Sequence, residues 1–129
     1  MDLTIPKIIK ENCINFHWDD EKVWQLKLPI EKMKVSKLDW LFKMPFWGTK
    51  NKKHGLTPKE VMKNPKKYSY HYKKILNADL KHPIDIIKTQ KGKWDILDGL
   101  HRLVKAKIMG KIEVDVRKIP LSKINEIKR

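Results

Sequence analysis

Asp98, Gly99, His101 and Arg102 are the residues of this chain whose types and spacing are best suited to chemistry. They stand in the run Leu97-Asp98-Gly99-Leu100-His101-Arg102. Before it, Trp94 to Leu97 reads as a strand; after it, Leu100, Leu103, Val104 and Ile108 recur at helical spacing. A helix that starts directly after a strand leaves the backbone N–H groups of its first turn pointing out along its axis, and with the helix dipole they attract a phosphate. Gly99 and Leu100 would offer backbone, Gly99 without a side chain to block an approaching anion. His101 and Arg102 would offer side-chain donors, in a turn where the dipole by itself disfavours a cation; an anion between them and the helix explains the placement. Asp98 suits an N-cap. Asp98 and His101 are therefore the candidate catalytic groups, and Gly99, Leu100, His101 and Arg102 the candidate nucleotide ligands. The spacing alone also fits a plain junction in which Asp98 caps the helix and Arg102 pairs with Glu113 or Asp115.

Several elements must position this turn. Trp24, Leu26 and Leu28 alternate with polar residues up to Pro29, the pattern of a first strand. Ser36 to Trp47 predicts a short helix and a loop, 50–55 a polar loop, and Thr57-Pro58 the start of a small helix with threonine as N-cap. Tyr68, Tyr72, Ile75 and Leu76 mark one face of a further helix, with His71, Lys73 and Lys74 turned away from it. Ile84 to Lys88 and Trp94 to Leu97 predict a hairpin turning at Gly92. Gly110 ends the helix after the turn, and Ile112, Val114 and Val116 alternate as a last strand. The class is α+β, a small mixed sheet with helices packed on it. Its parts are an N-terminal arm (1–22), one domain (23–120) and a C-terminal tail (121–129).

The 129 residues, 40% hydrophobic and 35% charged with five tryptophans, supply enough apolar surface for one core to close. Cys13 is the single cysteine, so an intrachain disulfide is excluded and a cysteine metal site implausible. His17, His54, His71 and His82 are too dispersed to propose a metal site. No segment approaches a membrane span or a secretory signal, and the expected setting is the cytoplasm, away from a membrane. The net charge of +15 invites nucleic acid, an anionic membrane or phosphorylated small molecules. Yet of the 30 basic residues only Arg102, Arg117 and Arg129 are arginines, and a scattered lysine excess fits a solvated surface equally well.

The stretch His82-Pro83-Ile84-Asp85-Ile86, then Trp94 to Arg102, then Gly110 to Val116 resembles the ParB/sulfiredoxin superfamily. Its core is a Pro-Ile strand, a strand ending in Asp-Gly-x-His-Arg or a close variant, a helix, and a Val-rich strand. The likeness covers about residues 82 to 119, with a weaker echo at Leu26-Pro29-Ile30. It implies a ParB/sulfiredoxin-like fold and a nucleotide cofactor, ATP or another nucleotide, with Mg²⁺. Gly99, His101 and Arg102 would then hold phosphates. Leu100 replaces the sulfiredoxin cysteine, which removes sulfinic acid reduction, and no helix-turn-helix domain follows, which removes a complete partition protein. For a phosphotransferase, Glu31, Asp39 and Asp85 are the candidate carboxylates.

Two functions follow. One is a nucleotide-binding enzyme, an ATPase or small-molecule phosphotransferase, using the turn as a clamp. The other is a basic nucleic-acid-binding module, with or without nuclease activity, whose Trp40 to His54 segment interleaves rings and lysines as single-strand binders do. In that segment, filling a small core is the competing role for the rings.

Overall fold

A computed structural model describes residues 5–49 and 54–129. Residues 1–4 and 50–53, which include most of the expected polar loop, lie outside the described residues. The order is α1 (Lys7–Asn12), α2 (Asp20–Gln25), β1 (Glu31–Lys34), a 3₁₀ helix (Val35–Lys43), α3 (Pro58–Lys63), α4 (Ser69–Asn77), β2 (Ile84–Lys88), β3 (Trp94–Asp98), α5 (Leu100–Ile108), β4 (Glu113–Lys118), a 3₁₀ turn (Leu121–Lys123) and α6 (Ile124–Ile127).

The class is α+β. One four-stranded mixed sheet has the order β1-β4-β2-β3. β1 runs antiparallel to β4, with Glu31 opposite Val116 and Met33 opposite Val114. β4 runs parallel to β2, with Asp85 opposite Arg117. β2 and β3 form the expected hairpin, with Asp85 opposite Asp98 and an irregularity between Asp85 and Ile86. Gly92, at φ +78°, makes its turn.

Period-2 alternation sends the strand residues to two different cores. Met33, Ile84, Ile86, Ile96, Val114 and Val116 face a larger cluster completed by the 3₁₀ helix, α3, α4 and α5. Ile87 and Leu97 face a smaller one with Ile119, made by Val23, Ile127 and the N-terminal residues Ile14, Phe16 and Trp18. The N-terminal segment is thus built onto the sheet. Trp18 bridges Lys128, and the Ile14 N–H donates to the buried Asp95 carboxylate at 3.0 Å. The expected boundary between Lys22 and Val23 falls inside α2.

The predicted strand at Trp24 to Leu28 is instead the end of α2 and an extended connection. Asp19 caps this helix, its carboxylate accepting from the N–H groups of Glu21 and Lys22. Leu26 and Leu28 do alternate inward onto the smaller core, as their spacing requires. Their backbone is not laddered to a strand, because Arg117 supplies donors instead: Nη1 to the Leu26 carbonyl at 2.7 Å and Nη2 to that of Val23 at 3.0 Å. The first strand lies later, at Glu31–Lys34, where only Met33 is buried, as suits a charged sheet edge.

The remaining expectations agree more closely. Thr57 and Glu60 form a reciprocal capping box with Pro58 in the first turn. On α4, Ile75 is buried and Tyr68 and Tyr72 pack on the core, whereas Leu76 is exposed. α5 buries Leu103, Val104 and Ala106 and stops at Gly110, φ +73°. Among the described residues no helix is long and apolar enough to cross a membrane.

Arg117 Nε also donates to Asp85 Oδ1 at 2.7 Å, and both side chains are almost sealed from solvent. Removing the arginine leaves a buried carboxylate without its counter-ion and two carbonyls without donors. Arg117→Met should therefore cost about 3–5 kcal/mol of stability in urea unfolding. Adding Asp85→Asn to that variant should restore part of the loss, and a single variant as stable as the parent would reject the clamp.

Candidate functional site

The junction between β3 and α5 is built by Gly99. At φ +106° it takes a backbone region open chiefly to glycine, so the chain leaves the strand and enters the helix within one residue. Gly99 itself is the N-cap, and no side chain caps the helix. The expectation that Asp98 serves as N-cap is therefore corrected. Its carboxylate is occupied elsewhere: Oδ2 accepts from Arg102 Nη2 at 2.9 Å and from the Trp24 indole N–H at 2.8 Å.

Arg102 turns back over the junction. It pairs with Asp98 rather than with Glu113 or Asp115, and its Nη1 donates to the Pro83 carbonyl. A Cβ placed on Gly99 would lie 3.2 Å from three guanidinium atoms. The close approach that Gly99 permits is thus used by Arg102, which lies beside the first turn of α5 with its charge partly balanced by Asp98. Leu100 sends its side chain to the larger core and can contribute only backbone.

His101 lies in a ring stack that the sequence conceals. Its imidazole is 4.8 Å from the Trp47 ring at 16°, and His71 is 5.0 Å from Trp47 at 8°. The two imidazoles are 6.4 Å apart, too close for the indole to lie between them. His71 was expected to turn away from the packed face of α4. The structure corrects this, because its Nε2 lies 2.7 Å from the Gly48 carbonyl, fixing that nitrogen as a donor. His71 Nδ1 and His101 Nε2 are buried and without partners among the described residues. Burial first, then Lys74 and His71, pushes the His101 pKa down to about 4, so the ring is neutral at pH 7. As a candidate catalytic group it can donate or accept one hydrogen bond but carries no charge of its own.

These groups meet in a cleft of about 400 Å³ that takes in Lys74, Asn77, His82, Gly99, His101 and Arg102. Lys74 and His82 come from α4 and the connection after it; the helical reading of α4 placed Lys74 outside the packed stripe, but not beside the turn. Glu31 and Asp39 are tied to Lys118 and Lys107, at 3.3 and 3.5 Å, and are not in the cleft. Asp85 does approach the turn, as the register partner of Asp98, although its near complete burial and its arginine partner were not legible from spacing.

The second feature of the sequence, Trp40 to His54, serves the core in its described part. Phe42 and Trp47 are buried in the larger cluster, and Trp40 and Phe46 pack against it. Lys93 and Lys107 lie over the rings of Trp40 and Phe42. These rings are used within the protein rather than displayed as a stacking face. Among the described residues no three His, Cys, Asp or Glu side chains are grouped to hold a metal ion.

Two titrating groups give opposing pH dependence. Burial raises Asp95 from 3.8 to about 6, so the folded chain holds this proton more tightly, and the stability it contributes is full below pH 3.8 and lost as pH rises through 6. His101, lowered from 6.5 to about 4, contributes stability above pH 6.5 that is lost as pH falls through 4. Unfolding measured from pH 4 to 7 should show Asp95→Asn losing stability on acidification more steeply than the parent, and His101→Ala less steeply. Identical pH profiles for all three chains would contradict both assignments.

Compared with models of protein families, with curated proteins and with solved structures, the chain matches none.

Proposed function

We propose that this chain is a nucleotide-binding domain with a ParB/sulfiredoxin-like fold, holding the phosphates of ATP or another nucleotide at the first turn of α5. The observation that carries the reading is the convergence around one cleft of the left-handed Gly99, the uncapped helix start, Lys74, His101 and Arg102. A phosphate there would meet backbone N–H groups, the positive end of the dipole and two permanent cations, with Asp79 and Asp98 also on the lining. It would also compete with Asp98 for Arg102. The neutral His101 would add a hydrogen bond, and an adjacent anion would raise its affinity for a proton.

The residues fit Mg²⁺ in the manner usual for phosphate-bound magnesium, which takes one or two carboxylates and leaves the rest to phosphate and water. Asp98 Oδ1 is the oxygen used by neither Trp24 nor Arg102. The chemistry such a clamp serves is phosphoryl transfer, to water or to a small acceptor, in which the protein contributes position and electrostatic stabilisation. With Leu100 at the turn, the cysteine nucleophile of the sulfiredoxins is not supplied there.

Calorimetric titration with ATP, ADP and CTP in the presence of Mg²⁺ tests this reading. At least one nucleotide should bind, Lys74→Ala should weaken it by about tenfold, and His101→Ala with Arg102→Ala should abolish it while the fold is retained. The proton resonances of His101 should titrate near pH 4 in the free protein and at higher pH with pyrophosphate bound. No heat with any nucleotide, together with an unmoved His101, would reject the proposal.

A further inference from the structure

Across the Asp98–Arg102 pair from the phosphate cleft lies a larger one of about 640 Å³, and the two share His82, Asp98 and Arg102. Its apolar part is made by Leu28 and Pro83 with Trp24 and Ile30, 56% and 59% exposed, and charged side chains complete the lining. The Trp24 indole is held in place by its hydrogen bond to Asp98. Asp85 lines the cleft, and although only 3% exposed it engages just one of its oxygens. Oδ1 takes Arg117 Nε, while Oδ2 has no hydrogen-bond partner among the described residues. Arg117 directs Nη1 and Nη2 to the Leu26 and Val23 carbonyls, and no described hydrogen bond from it reaches that second oxygen.

Asp85 as a whole is 3% exposed, so solvent serves this oxygen poorly and a donor placed in the cleft would be favoured. Asp98 Oδ1, on the neighbouring strand in direct register, is likewise unused by the donors that hold Oδ2. Lys27, Arg102 and Arg117 also line the cleft, but both arginines are already paired with these carboxylates, and the free carboxylate oxygens can accept from a group bearing O–H or N–H. The exposed indole and the aliphatic wall favour a planar or apolar body beside that group.

We infer that this cleft is a second subsite, taking a small molecule with a planar or apolar body and a hydroxyl or ammonium group that donates to Asp85 and Asp98. Its place beside a bound phosphate rests on the reading above; its own binding chemistry does not. A donor held here lies across the Arg102 guanidinium from phosphates at Gly99. Two sources share this chemistry: the sugar hydroxyls of the nucleotide itself, or a separate phosphoryl acceptor.

The test follows the Trp24 indole N–H resonance of the ¹⁵N-labelled full chain, identified with Trp24→Phe. Adenosine and cytidine are titrated as phosphate-free nucleosides, tyramine and 2-phenylethanol as an amine and an alcohol with apolar bodies. Pyrophosphate is titrated separately and read at His101. A saturable Trp24 shift is expected with at least one organic probe, and Asp85→Asn and Ile30→Lys should each weaken it by at least about tenfold. Ile30 is exposed, so Ile30→Lys should fold and bind pyrophosphate as the parent does even where Asp85→Asn fails to fold. Shifts with nucleosides alone assign the subsite to the nucleotide's own sugar and base; shifts with tyramine or 2-phenylethanol assign it to an acceptor. Absence of a shift with all four probes at millimolar concentration, or a shift indifferent to Ile30→Lys, overturns the inference. Failure of pyrophosphate alone, with the Trp24 shift intact, rejects the phosphate reading and leaves the subsite standing.

Discussion

Arg117 has all three of its guanidinium nitrogens committed inside the protein: one to Asp85 on the adjacent strand, and two to the carbonyls of Val23 and Leu26 at the end of α2. A side chain on the sheet thereby does for α2 what a neighbouring strand would do for an edge. The carbonyls are satisfied, the helix is fixed against the face that carries Ile87 and Leu97, and Trp24 is delivered to Asp98. The arginine's charge is tolerated there because Asp85 is charged and in contact, and Asp85 is tolerated for the same reason. Burial pulls the Asp85 pKa upward and Arg117 pulls it down, with burial the larger effect.

From Asp85 the dependence passes to Asp98, its partner across the hairpin. One oxygen of Asp98 gathers the indole N–H of Trp24 and the guanidinium of Arg102, so the helix added to one face of the sheet and the first turn of α5 are joined through a single atom. Arg102 is thereby held over Gly99 instead of extending into solvent, and the same pair forms the wall between the two clefts. The wall is shared, since Asp98 and Arg102 line both clefts.

The electrostatic character of the α5 cleft differs from what its residue types suggest. His101 is neutral, flanked by an indole and a second imidazole, with Lys74 adding to the cost of protonation. Arg102 is already paired. A further charge comes from Lys74 on α4, 24 positions before Asp98, whose Nζ lies over the Tyr70 ring in a cleft that Asp79 also lines. Most of the described lysines of this basic chain, net charge +15, face solvent.

The sequence alone determined the parts that depend on neighbours along the chain. The hairpin at Gly92, the N-cap at Thr57, the helix after Gly99 and its stop at Gly110 follow from local backbone preference and periodicity. Trp24 to Leu28 was misread as a strand because alternation reports which side chains are buried but not what satisfies the backbone, and here a guanidinium from residue 117 does so. The edge strand at Glu31–Lys34 left too short and too charged a pattern to be seen. Only the tertiary structure decided that Asp98 holds Arg102 and Trp24 instead of capping α5, that His71 and His101 share the Trp47 ring, and that Lys74 faces the turn. Each of these joins residues distant in sequence, and a side chain with several partners available takes the one that packing brings within hydrogen-bond distance, a choice no local spacing encodes.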